Sequence, residues 1–252
     1  MKSPLKTSVH FKSVGVLKSK LKASSNISSF LLYDGHVEVA LAEGGHTIIA
    51  HTNKKAVYEF WATLLSDPRT LGEAVAHLFP TLSEEQFQML QENWSHSRTP
   101  LTRATLFFIL NRCSNTGHVS QGVIDMSRFN PISVSKLKNF QIEGFYPFYD
   151  DCEDVFEGLA AATHTDYIVI PAGKYSMNLF EYGKNRGPDT SLIHHRNLRE
   201  KMGKIKKNWA LLYKKHPALF NLYDNYDITM VDEYGQPTTQ KSRCEELIIA
   251  NF

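Results

Sequence analysis

Apolar positions along the chain fall into two alternating rhythms. Ser29-Phe30-Leu31-Leu32-Tyr33 is a short apolar run stopped by Asp34-Gly35, the pattern of a buried strand ended by a turn. Val37, Ala40 and Leu41 then share one face of a helix that ends at Gly44-Gly45, as glycine C-caps do. His46-Thr47-Ile48-Ile49-Ala50 predicts a second strand, and Val57, Phe60, Trp61, Leu64 and Leu65 repeat at helical spacing. Strand, helix, strand, helix in this order is a βαβ unit, which implies a parallel sheet with right-handed crossovers.

The pattern changes over residues 66–140. A helical run covers 71–79, another follows the start signal Ser83-Glu84-Glu85-Gln86, and a third covers 101–110 before a polar, glycine-bearing loop at 111–122. This reads as a largely helical insertion with its own small core. The sheet resumes at Tyr167-Ile168-Val169-Ile170. Asp189-Thr190-Ser191 offers caps for a helix that places Leu198, Met202 and Ile205 on one face. Residues 209–213 predict the next strand, and 227–231 with 246–250 predict a closing antiparallel pair.

Of the 252 residues, 42% are hydrophobic and 12% aromatic, enough to build a core and to exclude a disordered chain. No apolar run approaches the roughly 20 residues that span a bilayer. Met1-Lys2-Ser3-Pro4-Leu5-Lys6 lacks the apolar stretch of a signal peptide. The expected location is the cytoplasm, or a virion if the chain is phage-encoded, with no membrane contact. Cys113, Cys152 and Cys244 lie far apart and read as reduced thiols.

Net charge is only +2, but it is unevenly placed. Residues 1–22 hold six lysines and no acid; residues 196–215 hold eight basic residues against Glu200 alone. Residues 143–157 hold six acids and no Lys or Arg. One basic face and one acidic face are expected. Two adjacent histidines, His194 and His195, point in different directions on a helix and so do not suit one metal; they read as surface residues near a helix start. Cys113 with His118 lacks partners for zinc. Asp150-Asp151 with Glu153-Asp154 reads as an acidic helix N-terminus rather than a cation site. No metal is expected.

Four stretches carry a family resemblance. Ser3-Pro4-Leu5 is followed by Leu17-Lys18-Ser19-Lys20-Leu21. Residues 37–43 are followed by Ile48-Ile49-Ala50 and Val57-Tyr58-Glu59-Phe60-Trp61. Thr102-Arg103-Ala104 leads to Leu110-Asn111-Arg112, and residues 243–252 close the chain. In this order and spacing the chain resembles the Dam-type (D12 class) adenine-N6 DNA methyltransferases over nearly its whole length. The resemblance implies an α/β fold: a Rossmann-like methyltransferase core, residues 1–65 and 141–252, with a target-recognition-type insertion at 66–140.

The same resemblance shows where this chain departs from the family. The family's Asp-Pro-Pro-Tyr motif, whose carboxylate and backbone carbonyl accept from the target amine while the tyrosine stacks on the flipped base, is here Pro171, Ala172, Gly173 and Lys174. The glycine-rich cofactor loop is Tyr33, Asp34 and Gly35, so side chains replace two of the positions where only glycine lets backbone approach the ligand. The acid that holds the ribose hydroxyls is Thr52, which offers one neutral hydrogen bond instead of a charge-assisted pair. No S-adenosylmethionine binding is expected. Tyr175, one residue late, is the remaining candidate for a stacking platform.

In the family the insertion contacts DNA, which makes Arg103, Asn111, Arg112, Arg128, Lys136 and Lys138 candidate DNA-binding residues through phosphate. The expected function is therefore a non-catalytic, binding or structural component, with DNA or protein partners in a larger assembly. The alternative is an active adenine methyltransferase with unorthodox motifs.

Overall fold

A computed structural model describes residues 2–7, 9–78, 82–175 and 193–252. Its elements run, in chain order, α1 (Val14–Lys20), β1 (Asn26–Phe30), α2 (His36–Glu43), β2 (Thr47–Thr52), α3 (Lys55–Ser66), α4 (Pro68–Leu78), α5 (Glu84–Asn93), α6 (Pro100–Cys113), α7 (Pro131–Lys138), β3 (Phe145–Tyr149), β4 (Tyr167–Gly173), α8 (His195–Lys204), β5 (Asn208–Lys214), α9 (Pro217–Leu222), β6 (Asp227–Asp232) and β7 (Cys244–Ala250). The strands form one sheet in the order β3-β2-β1-β4-β5-β7-β6. It is parallel except for β7, which runs antiparallel to β5 and β6. This is a Rossmann-like, methyltransferase-type α/β fold.

Several predicted elements shift. β1 begins three residues earlier than the apolar run and ends at Phe30, because Leu31 takes a left-handed φ of 73° and leaves the ladder. The buried Ser28 looks like a loop residue in sequence, yet it lies in the strand beside the buried Ser29. β3 escapes the sequence pattern because Pro147 interrupts it. Proline is tolerated there because β3 is an edge strand, where a missing ladder donor costs least. The predicted caps Asp189, Thr190 and Ser191 lie outside the described residues.

Alternate residues feed opposite faces of the sheet. Val169, Ala210, Leu212 and Ile248 face the helices α1–α7, while Ile168, Ile170, Leu211 and Ile249 face α8, α9 and the 3-10 stretch Val155–His164. The helical insertion does not keep a core of its own. Leu71, Phe87, Trp94 and Phe107 belong to the same cluster as Ile27 and Val57. α6 is the reason: it is buried nearly all round from Ala104 to Leu110, with Phe107 stacked 5.2 Å from Phe60 of α3. A helix apolar on every side belongs inside a core, between other elements.

The N-terminal segment straps these parts together. Asn111, fully buried on α6, accepts from Lys6 N at 2.6 Å and donates back to Lys6 O at 3.1 Å. Further along, Glu246 of β7 accepts from Ser13 N at 2.8 Å, Lys12 N at 3.2 Å and Lys214 Nζ at 2.6 Å. Burial acts to raise the Glu246 carboxyl, but the hydrogen bonds from Lys214, Ser13 and Lys12 outweigh it, leaving it below its ordinary value.

Candidate functional site

In a doubly wound sheet the ligand crevice lies outside the carboxyl ends of the strands, where the strand order reverses. Here β1 has β2 on one side and β4 on the other. The turn after β1, the ends of β2 and β3, and the end of β4 therefore frame the site.

The turn after β1 holds Tyr33, Asp34 and Gly35. Tyr33 reaches toward the insertion: its hydroxyl donates to Gly117 O at 3.4 Å and accepts from Val119 N at 3.3 Å. Asp34 Oδ1 accepts from His36 N at 2.9 Å at the start of α2, and its carbonyl accepts from Ser3 Oγ. Gly35 has φ 65°, and a Cβ there would lie 2.3 Å from Cζ2 of Trp61. Trp61, fully buried, also donates its indole N–H to Tyr33 O at 2.9 Å. The protein's own indole accounts for this glycine.

At the end of β2, Thr52 is buried and its Oγ1 accepts from Lys54 N at 3.1 Å, a local turn contact. Beside it stands a pair that sequence reading missed. His51 Nδ1 faces Asp150 Oδ2 at 2.9 Å, and the imidazole stacks on Phe30 at 4.3 Å and 7°. Burial lowers the His51 pKa, against the opposing pull of Asp150. A Cβ on Gly158 would sit 3.3 Å from Asp150 Oδ1 and 3.5 Å from Phe30, so the 155–164 stretch closes over the pair. The two residues lie 99 positions apart, on neighbouring strand ends, and no local motif announces them.

At the end of β4, Pro171 pairs in register with Leu212, and Gly173 follows a register shift at φ 78°. Ala172 is buried and Lys174 exposed, so none of the four motif positions presents an anionic or aromatic side chain. Tyr175 packs against two imidazoles, tilted by 33° at 4.6 Å from His195 and by 34° at 4.7 Å from His216. Its ring is engaged by the protein's own side chains.

His195 is not the surface residue its sequence context suggests. It is buried, with Nδ1 3.0 Å from Tyr213 Oη. Burial, with smaller contributions from His194 and His216, brings its pKa down to about 4. His10, His36, His46 and His51 are also held below the ordinary histidine value, in each case chiefly by burial. The unfolded chain therefore takes up these protons first as pH falls. Stability should be fullest above about pH 6.5, the ordinary histidine value, and decline steadily as pH drops toward that of His195. Urea midpoints at pH 7 and pH 5 check this, and His195→Gln should narrow the difference between them.

The DNA candidates separate. Arg103 is committed to Glu59 through Nε and Nη2, both at 2.6 Å, and to Ser97 O through Nη1. Asn111 is the strap clamp described above. Arg112 donates to Pro4 O at 3.5 Å. Lys138 is half-buried against Gly72 of α4, and Lys136 is exposed. The Arg128 side chain lies outside the described residues. Cys113 is buried and its thiol pushed up to about 12 by that burial. Asp154 caps the 155–164 stretch at Phe156 N and pairs with Lys201 at 2.6 Å. Among the described residues no cluster of metal-ligating side chains occurs, and no helix is long and apolar enough to cross a membrane.

No family model and no curated protein matches the chain. Among solved structures, a fibrillarin/Nop5p complex is similar at a TM-score of 0.35 and 9% identity, over 95% of this chain and 78% of that one. A likeness of that size adds nothing to what the strand order already shows.

Proposed function

We propose that this protein keeps a methyltransferase-like fold without methyl transfer, and acts by binding as a structural or accessory component of a larger assembly. One observation carries the reading. At the carboxyl-end crevice the described side chains hold one another: Trp61 under Gly35, Phe30 with His51 and Asp150, Tyr175 against His195 and His216. Methylating an exocyclic amine requires acceptors that orient it and relieve its developing positive charge. Pro171 supplies no side-chain acceptor, and Lys174 would bring a cation. Base capture requires a stacking platform, and the aromatic candidate Tyr175 is engaged by His195 and His216.

The test is transfer of labelled methyl groups to DNA, by the natural chain and by the variant Pro171→Asp, Ala172→Pro, Gly173→Pro, Lys174→Tyr. Neither should incorporate label, because the turn at Tyr33-Asp34-Gly35 and Thr52 stay as they are. Label incorporated by the natural chain would overturn the reading. Label incorporated by the variant alone would show that the cofactor site is intact.

A further inference from the structure

The N-terminal strap passes the start of α2 through a contact between two histidines. His10 of the strap and His36, the first residue of α2, bring their ring centroids to 4.1 Å at 38°. Around this contact His36 Nε2 meets Phe11 O at 3.1 Å, Lys214 Nζ donates to His10 O, and Ser3 Oγ donates to Asp34 O. Leu5 and Phe11 are buried along the strap, whereas Lys2, His10 and Lys12 are exposed. Farther along, Glu246 accepts from Lys12 N and Ser13 N and so roots the strap on β7. Its free portion rests on α2 through two groups that titrate near neutral pH.

Most of what surrounds the contact opposes protons on it. Lys12, Lys214 and His36 disfavour a charge on His10, and Lys2 and Lys214 disfavour one on His36. His36 also stands at the N-terminus of α2, where the helix dipole repels a cation. Glu246 pulls the other way on both histidines, and Phe11 O does so on His36. Glu246, however, already accepts from Lys214 Nζ at 2.6 Å, and Asp34 Oδ1 is taken by His36 N at 2.9 Å. The balance leaves both histidines below their ordinary value, with burial the largest cause. A lifted strap loses that burial and the contact between the rings, so it takes up protons more readily. The closed strap therefore holds fully above about pH 6.5 and weakens as pH falls through that value toward those of the closed state. Glu246, itself held below its ordinary value, stays charged over that range and keeps its grip on Lys12 and Ser13.

We propose that His10 and His36 form a proton-operated latch, which in acid lets the strap up to Phe11 swing off α2 and α6 about the root that Glu246 holds. Swinging away exposes Leu5, frees the Asp34 carbonyl and empties the clamp that Asn111 makes on Lys6. The test is amide hydrogen exchange of the full chain at pH 7 and pH 5, corrected for the intrinsic rate at each. Lys6 N, held by Asn111, reports the strap, and the strand amides of β1 and β4 report the sheet. Each histidine that gains a proton on opening makes opening up to about tenfold easier per pH unit below about pH 6.5. The strap's opening constant should rise about tenfold or more between the two pH values, with the strand amides better protected than Lys6 at both. His10→Gln, a change at an exposed residue whose side chain is not buried in the core, should reduce that rise. His10→Gln with His36→Gln should abolish it and leave the strand amides responding to pH as before. A strap that opens equally at both pH values would overturn the proposal. So would exchange of Lys6 in step with the strand amides, which is unfolding of the whole chain, or a strap response that the double variant keeps. The latch is separate from the binding role proposed above, and methyl transfer is read in another assay, so the two fail independently.

Discussion

Replacing Trp61 by alanine is expected to cost about 3–5 kcal/mol, the range for emptying a large aromatic from a packed core. The indole meets Phe60 at 5.4 Å, Phe140 at 6.0 Å and Phe145 at 5.0 Å, and no part of it is exposed. It joins α3, the end of the insertion and β3, so its loss leaves a void that three elements cannot close together. It also leaves Tyr33 O without the indole donor. Urea unfolding checks the value. Trp61→Phe should lose far less, about 1–3 kcal/mol for a carbonyl left unsatisfied. Gly35→Ala makes the complementary case: its Cβ would collide with the ring and its φ of 65° disfavours any side chain. If Gly35→Ala proved neutral, the indole would not be what requires glycine there.

Removing Glu59 should have a comparable effect. Glu59 is buried on α3, and its two oxygens receive the Arg103 fork from α6 at 2.6 Å each. The side chains are 8% and 17% exposed, so the pair is largely out of water. The hydrogen bonds that Arg103 donates to Glu59 raise the Arg103 pKa, which keeps the cation in place. Breaking such a pair by deleting one partner costs about 3–5 kcal/mol, because the other charge is left uncompensated. Glu59→Ala and Arg103→Ala should both lower the urea midpoint, with or without DNA present. A loss under about 1 kcal/mol, typical of an exposed pair, would mean that Arg103 does not brace the insertion.

Long periodic segments were legible in the sequence. The helical spacing of Val57, Phe60, Trp61 and Leu64 became α3, and the capping box at Ser83 and Gln86 formed with both hydrogen bonds. The closing antiparallel pair also formed. What the sequence could not show was long-range. The run 30–32 is apolar throughout, so periodicity could not mark where β1 stops; a left-handed Leu31 does that. The partners of buried polar residues were not visible: Ser29 donates to Glu38, and His195, read as a surface residue, meets Tyr213. Glu38 itself, on the buried side of α2, has its carboxyl raised by burial.

The site was legible as a set of departures from a pattern, not as an arrangement. Set against the family it resembles, the sequence marked Tyr33, Asp34, Thr52 and residues 171–174 as departures. It did not reveal that the space around them is organised by Trp61, by the His51–Asp150 pair, or by the contacts of Tyr175 with His195 and His216. Those contacts join residues from different strands and helices, and only the folded chain brings them together. Arg103 and Asn111 show the reverse: residue types suited to phosphate that the fold uses to fasten itself.

The most direct test of the central claim is a calorimetric titration of the intact chain with S-adenosylmethionine. The account predicts no saturable heat up to the limit of cofactor solubility, and no shift in the thermal midpoint when cofactor is present. Saturable binding at micromolar concentration, about 8 kcal/mol of affinity, would contradict it and return the chain to the working methyltransferases.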